Sequence, residues 1–159
     1  MIYFLFAMQR EADMLDLPNK YVVGIGATEL PKTTADDVLV NIGYCGGHGI
    51  KVGTIIEPYF AVDVRSVDNA NPFRSAIVDR GFDLPGCICF TAEEFVEESP
   101  VAFPCIFDME LLKIAKLPHR KLYALKIVSD NLCEKDCEEY NDPQVWDEIK
   151  KLLKENGYV

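Results

Sequence analysis

Three carboxylates stand where an ordinary core would not place them. Glu110, in "FDMELLKIAKL" (residues 107–117), is flanked by Met109 and Leu111 in an apolar segment that has to pack on something. Burying a carboxylate without partners is costly. Asp130 closes the apolar run "KLYALKIVSD", where the plainer reading is a turn or cap. Glu11 follows the strand-like "IYFLFAM" in what reads as the first turn of a helix, and there any acid complements the helix dipole. Carboxylates held in buried surroundings are groups with which proteins do general acid–base chemistry. The glycine segments "GIGATE" and "GYCGGHG" look like phosphate cradles. The second lacks the Gly-Lys-Ser/Thr of a P-loop and the first lacks the third glycine of a dinucleotide fingerprint. Tight turns are the simpler reading. His48 and His119 have no catalytic-looking neighbours and read as solvated.

The elements that would position these groups alternate along the chain. Apolar, β-rich runs at 2–8, 20–26, 38–43, 53–64, 86–90, 101–106 and 121–129 read as strands, with Pro58 marking a bulge or an edge. Helices are expected at 9–17, 107–117 and 143–155, with shorter helical or turn segments at 28–37 and 91–99. The last has the clearest start: Asp142-Pro143 supplies an N-cap and a first-turn proline. Val145, Trp146, Ile149, Leu152 and Leu153 recur at helical spacing, and Gly157 closes the segment. Continuous apolar strands alternating with helices indicate a three-layer α/β/α sandwich around a central mixed β-sheet. In such sheets ligands sit at the carboxyl ends of the strands, which is where Glu11, Glu110 and Asp130 fall.

Composition narrows the partners. At 159 residues, without a linker, repeat or low-complexity tract, the chain reads as a single domain. A formal charge of −10 makes nucleic acid and anionic membrane poor partners, and no run approaches the roughly 20 apolar residues of a membrane span. The apolar N-terminus is too short for an export signal, so the expected compartment is the cytoplasm. Its six cysteines are then expected to be reduced thiols. Their spacing fits no zinc site, and no metal is expected.

Taken in order, these segments resemble the 5′-methylthioadenosine/S-adenosylhomocysteine nucleosidases of the nucleoside phosphorylase superfamily. "AMQREADML" is similar to the family's Ala-Met-x-x-Glu opening, "VVGIGATE" to its Ser-Gly-Ile-Gly segment and "VNIGYCGG" to its Asn-x-Gly-x-x-Gly-Gly loop. "KVGTII" resembles a Val-Gly-Asp-Ile-Val strand and "FTAEEFV" a Ser-Gly-Asp-x-Phe turn. "FDMELLKIA" looks like Val-Asp-Met-Glu-Ala, and "ALKIVSD" like an Arg-x-Ile-Ser-Asp strand end. The chain is shorter than the usual member. Val23 stands where the family has serine, Thr54 where it has aspartate, and Ala92 where it has glycine.

The resemblance implies a nucleoside phosphorylase-like fold and hydrolysis of an N-ribosidic bond, releasing adenine from an adenosine-type nucleoside. That reaction builds positive charge on the sugar and negative charge on the departing purine. It needs an acid at purine N7, a base for water and an anchor on the ribose hydroxyls. By resemblance Asp130 is the acid, Glu11 the base and Glu110 the ribose anchor. Met109 would pack on the sugar, Phe95 stack on the base and backbone at Val96 read its edge, with Gly46 and Ser129 completing the pocket. No cofactor is implied. The partner implied is a small nucleoside, together with a second copy of the chain, since family members close the 5′ side with a neighbouring subunit. Here residues 61–73, and Phe73 above all, would form that contact. A phosphate-dependent phosphorylase and a nucleoside-binding protein without turnover are the alternatives.

Overall fold

The computed structural model describes residues 1–68 and 71–159, so Asn69 and Ala70 of the 61–73 segment lie outside the described residues. Its centre is a nine-stranded mixed sheet. The strands are β1 (Ile2–Phe6), β2 (Lys20–Val22), β3 (Val38–His48), β4 (Ile55–Ile56), β5 (Phe60–Asp63), β6 (Ser75–Ile77), β7 (Ile88–Thr91), β8 (Cys105–Asp108) and β9 (Lys121–Asp130). The helices are α1 (Gln9–Ala12), α2 (Leu111–Ile114), α3 (Glu134–Glu139) and α4 (Pro143–Glu155), with a 3-10 turn at Val64–Val67.

β3 is the axis of the sheet. It runs parallel to β1, from Val38 opposite Ile2 to Asn41 opposite Leu5, and on its other edge it pairs in parallel with β9 from Val38 to Gly46. From Gly46 to His48 its first edge turns to β8, antiparallel, and the sheet continues through β7 and β5 to β6. β9 holds β4 on its far edge. Two residues past β6, Asp79 bridges to Tyr123 of β9, so the sheet curls back on itself. Strand alternation then makes two main cores, beside a smaller cluster of Val62, Phe90, Cys105 and Phe107. Leu5, Leu39, Ile106, Leu122, Ala124 and Val128 face α2, while Phe4, Phe6, Val40, Ile42, Leu125 and Ile127 face α1 and α4. Three layers result, as expected.

Several elements differ from their sequence reading. α1 is one turn rather than nine residues, because the chain tightens at Asp13 and Lys20 Nζ then donates to the carbonyls of Ala12 (2.9 Å) and Leu15 (2.8 Å). α2 is likewise a single turn closed by Ala115, and the Leu117 N–H donates to Ile114 O at 3.0 Å rather than extending the ladder. Residues 28–37 and 91–99 form no helix. The Gly-rich segment expected as a loop is instead the second half of β3. At Pro58 the expected continuous run breaks: β4 pairs with β9, whereas β5 pairs with β7. α3 has no sequence signature, being polar and acidic along its length with no buried residue.

α4 follows its sequence closely. Asp142 Oδ1 accepts the Gln144 N–H at 3.1 Å with Pro143 beside it, and Gly157 takes a positive φ of 78° after the last turn. Trp146 is fully buried between α4 and the sheet, and its Nε1 donates to Tyr44 Oη at 3.0 Å. Trp146→Ala is therefore expected to destabilise the fold by about 3–5 kcal/mol, read as a lowered denaturant midpoint.

Candidate active site

Local geometry at three strand ends brings the carboxylates together. After β1 the chain turns into α1 with Met8 extended, and Glu11 folds back so that Oε1 accepts the Met8 N–H at 2.9 Å. Its other oxygen, Oε2, accepts the Tyr44 N–H of β3 at 2.7 Å. This close approach requires Gly43. A Cβ there would lie 2.8 Å from Glu11 Oε2, too near for both to stay in place. Burial pushes the Glu11 carboxyl above its ordinary range, opposed by the Tyr44 N–H and by the charge of Lys126.

Asp130 ends β9 at a register irregularity. Cys45 pairs with Val128 but Gly46 pairs with Asp130, so Ser129 is the extra residue of a bulge. Bulges re-aim side chains, and this one sets Asp130 against Gly46, where a Cβ would lie 3.4 Å from Oδ2 and 2.9 Å from Leu132. Ser129 Oγ donates to Asp130 Oδ1 at 2.7 Å. Leu132, at φ 65°, turns the chain back so that the Cys133 N–H reaches Asp130 Oδ2 at 3.1 Å.

Glu110 precedes α2. Its Oε2 accepts the Gly26 N–H at 2.8 Å, from a loop in which Gly24, Gly26 and Ala27 all have positive φ. Burial first, and then the neighbouring Asp108, push its carboxyl up to about 7, against the opposing charge of Lys126.

Beneath these groups lies a buried ion pair that the sequence reading did not single out. Lys126 Nζ meets Asp108 Oδ2 at 2.9 Å, and the two side chains are 1% and 0% exposed. Asp108 also accepts from Thr91 Oγ1 (2.7 Å) and from the Leu111 N–H (2.8 Å), and Thr91 Oγ1 in turn accepts the Leu112 N–H at 3.1 Å. Burial works against both charges, but each partner outweighs it: Asp108 holds the Lys126 ammonium well above its usual range, and Lys126 holds Asp108 below.

Glu11, Glu110 and Asp130 line one cavity of about 270 Å3, together with Met109, Phe95 and Gly46, near the lower end of the range for small-molecule sites. Val96 lines a smaller adjoining recess that shares Gly46, Phe95 and Met109 with it. Ser129 does not line the cavity but sits behind Asp130. Tyr44, Arg10, Cys137 and Glu138 also line it and were not assigned roles from sequence. Of these, Tyr44 carried a readable sign, an aromatic residue inside a glycine-rich strand. Arg10 lies over the Tyr44 ring at 5.0 Å and donates to the carbonyls of Cys137 and Tyr140, both at 3.3 Å. Val23, at the family's serine position, is core. Thr54 Oγ1 donates to Lys51 O at 2.6 Å, and Ala92 is buried.

No protein-family model matches the chain, and no curated protein matches it. Solved structures do. The chain superimposes on Chlamydia trachomatis MTAN bound to MTA with a TM-score of 0.74, at 13% identity over 97% of both chains. The same protein bound to adenine gives a TM-score of 0.72 at 12% identity over 98% of both chains. Helicobacter pylori MTAN with 5′-methylthioadenosine in its active site gives 0.65 at 14% identity, covering 97% of this chain and 98% of that one. The chain thus has the nucleoside phosphorylase-like α/β fold of these 5′-methylthioadenosine/S-adenosylhomocysteine nucleosidase structures.

Lys126→Met should strand the Asp108 charge and cost about 3–5 kcal/mol of stability. Lys126→Met with Asp108→Asn removes both charges and should recover most of that loss, as read from chemical unfolding of the two variants.

Proposed function

We propose that the chain hydrolyses the N-ribosidic bond of an adenosine-type nucleoside, of the 5′-methylthioadenosine, S-adenosylhomocysteine or 5′-deoxyadenosine kind, and releases adenine. The observation that carries this reading is that Glu11, Glu110 and Asp130, from distant parts of the chain, line one cavity. Asp130 delivers a proton to purine N7 as the bond breaks. Glu11, with one backbone N–H on each oxygen, keeps acceptor capacity on both and activates water on the sugar's opposite face. Glu110 spends Oε2 on Gly26 and offers its other oxygen to the ribose hydroxyls. Met109 packs on the sugar and Phe95 stacks on the base, with Gly46 giving room beside Asp130. Val96 reads the base edge from the adjoining recess, and Ser129 orients Asp130. Three carboxylates around a developing sugar cation stabilise it electrostatically.

Water is favoured over phosphate as the nucleophile. Arg10, the cation nearest Glu11 in sequence, lines the pocket but already spends its guanidinium on two carbonyls and the Tyr44 ring, which leaves it less available to an incoming anion. Asp130 can donate to N7 and accept from an exocyclic amine, which favours a 6-amino purine over a 6-oxo one.

The chain is further proposed to act as a cytoplasmic homodimer. A larger apolar cavity of about 400 Å3 is lined by Phe60, Val67, Phe73, Phe90 and Phe103 among others, with no titratable group among the described residues that line it. Phe73 is 71% exposed beside it. Two stacked rings separate this groove from the carboxylate pocket: Phe90 of the groove stacks at 5.6 Å on Phe107 of the pocket. A partner seated there would cover the pocket's flank, and a two-fold dimer is the commonest way to supply one.

Three outcomes test these proposals. Incubation with a nucleoside panel should release adenine and free sugar without added phosphate, with inosine a poor substrate, and Asp130→Asn should cost about 10²-fold or more. Strict dependence on phosphate would overturn hydrolysis. Because Glu110 titrates at about 7 and binds ribose as the carboxylate, KM should rise as pH falls through about 7. Glu110→Gln should flatten that rise, as steady-state kinetics across pH would reveal. Light scattering should give a dimer mass, and Phe73→Glu should shift it towards monomer.

A further inference from the structure

Although its formal charge is −10, the protein gathers Arg65, Arg74, Lys113 and Lys116 around one cleft of about 120 Å3, formed by the 3-10 turn, the approach to β6, the end of β7 and α2. Among the described residues Asp63 and Glu93 are the only acids in its walls, so positive charge predominates there. Crowding like charges is unfavourable unless something neutralises them. Arg65 is already fixed in plane: its Nε and Nη2 donate to Asp63 Oδ1 and Oδ2 at 3.1 and 2.9 Å. Lys113 Nζ is held by Gly26 O at 2.8 Å. Among the described residues the Arg74 guanidinium and the Lys116 ammonium make no hydrogen bond or ion pair, and both are exposed at the mouth. A fixed guanidinium and two uncommitted cations, in a space too small for a nucleotide, describe a receptor for a compact anion.

We propose that this cleft binds a tetrahedral oxyanion of the size and charge of inorganic phosphate. It lies apart from the carboxylate pocket, which shares none of its lining residues. The two are nonetheless joined, by the hydrogen bond from Thr91 of the cleft to Asp108 of the pocket and, more directly for Glu110, through Gly26. Gly26 accepts from Lys113 through its carbonyl and donates to Glu110 through its N–H, both at 2.8 Å. An anion that draws Lys113 into the cleft removes one of the two tethers that position this loop under Glu110. Resting on the nucleosidase reading above, bound phosphate then weakens the grip on ribose and raises KM more than it lowers kcat.

The test is calorimetric titration of the whole protein with sodium phosphate against sodium chloride at matched ionic strength. One saturable site is expected, weakened at least about tenfold in Arg74→Ala/Lys116→Ala and unchanged in Glu11→Gln. Circular dichroism melts confirm that both variants are folded. Absence of saturable binding overturns the proposal. So does binding that survives the double variant but is lost in Glu11→Gln, because phosphate would then occupy the carboxylate pocket, and the hydrolytic reading would be weakened with it. For the coupling, saturating phosphate should raise nucleoside KM severalfold in the native protein and leave the double variant unaffected. A KM indifferent to phosphate overturns the coupling. If no nucleoside is cleaved at all, the calorimetry still decides the site.

Discussion

The centre of the candidate active site rests on the contact between Lys126 and Asp108. The pair joins the middle of β9 to the end of β8, and through Asp108 it reaches the end of β7 at Thr91 and the first turn of α2 at Leu111. Water is excluded from both side chains, so each charge is tolerable only because the other and the surrounding donors answer it. Glu110 sits between that network and the Gly26 loop, and its elevated proton affinity follows first from burial and then from the charge of Asp108 close by. The family pattern that "ALKIVSD" resembles has arginine where this chain has Lys126. Lysine is a point charge on a flexible stem rather than a planar fork, so it answers Asp108 at one oxygen and leaves the other to Thr91.

The glycines of β3 carry the complementary half of the design. Side chains at 43 and 46 would occupy the space into which Glu11 and Asp130 fold. Two carboxylates therefore lie against the bare backbone of the central strand, and the Tyr44 N–H serves one of them directly. Cost and use coincide here. Glycine weakens a strand, but β3 is paired on both edges, which offsets the loss.

Much of the fold was legible in the sequence because its signals were local. Apolar runs marked the strands, and Asp142-Pro143 with the Trp146 stripe marked α4. Glu110 and Asp130 were conspicuous as acids in apolar company. The rest depended on tertiary contacts. Glycine-rich sequence reads as a loop because it offers no side-chain period, yet pairing with β9 and β8 makes 43–48 a strand. α1 and α2 were overlong because apolar periodicity continues past the point where Lys20 and Ala115 close them. α3 buries nothing, so no pattern announces it. Lys126 was missed for a different reason: a lysine within a strand ordinarily reads as a solvated edge position, and only the placement of Asp108 across the sheet makes it internal.

The pairing of β3 with β9 joins residues 38–46 to residues 121–130. Contacts so distant along the chain must close a long loop before they contribute anything, and this slows folding. During synthesis the central strand must wait, with one edge unsatisfied, until most of the protein has left the ribosome. Asp130 is the last residue of that late-arriving strand, so the pocket gains its third carboxylate only when the sheet itself is completed. A chain interrupted before that point carries Glu11 and Glu110 but lacks the partner strand that would hold β3 against them.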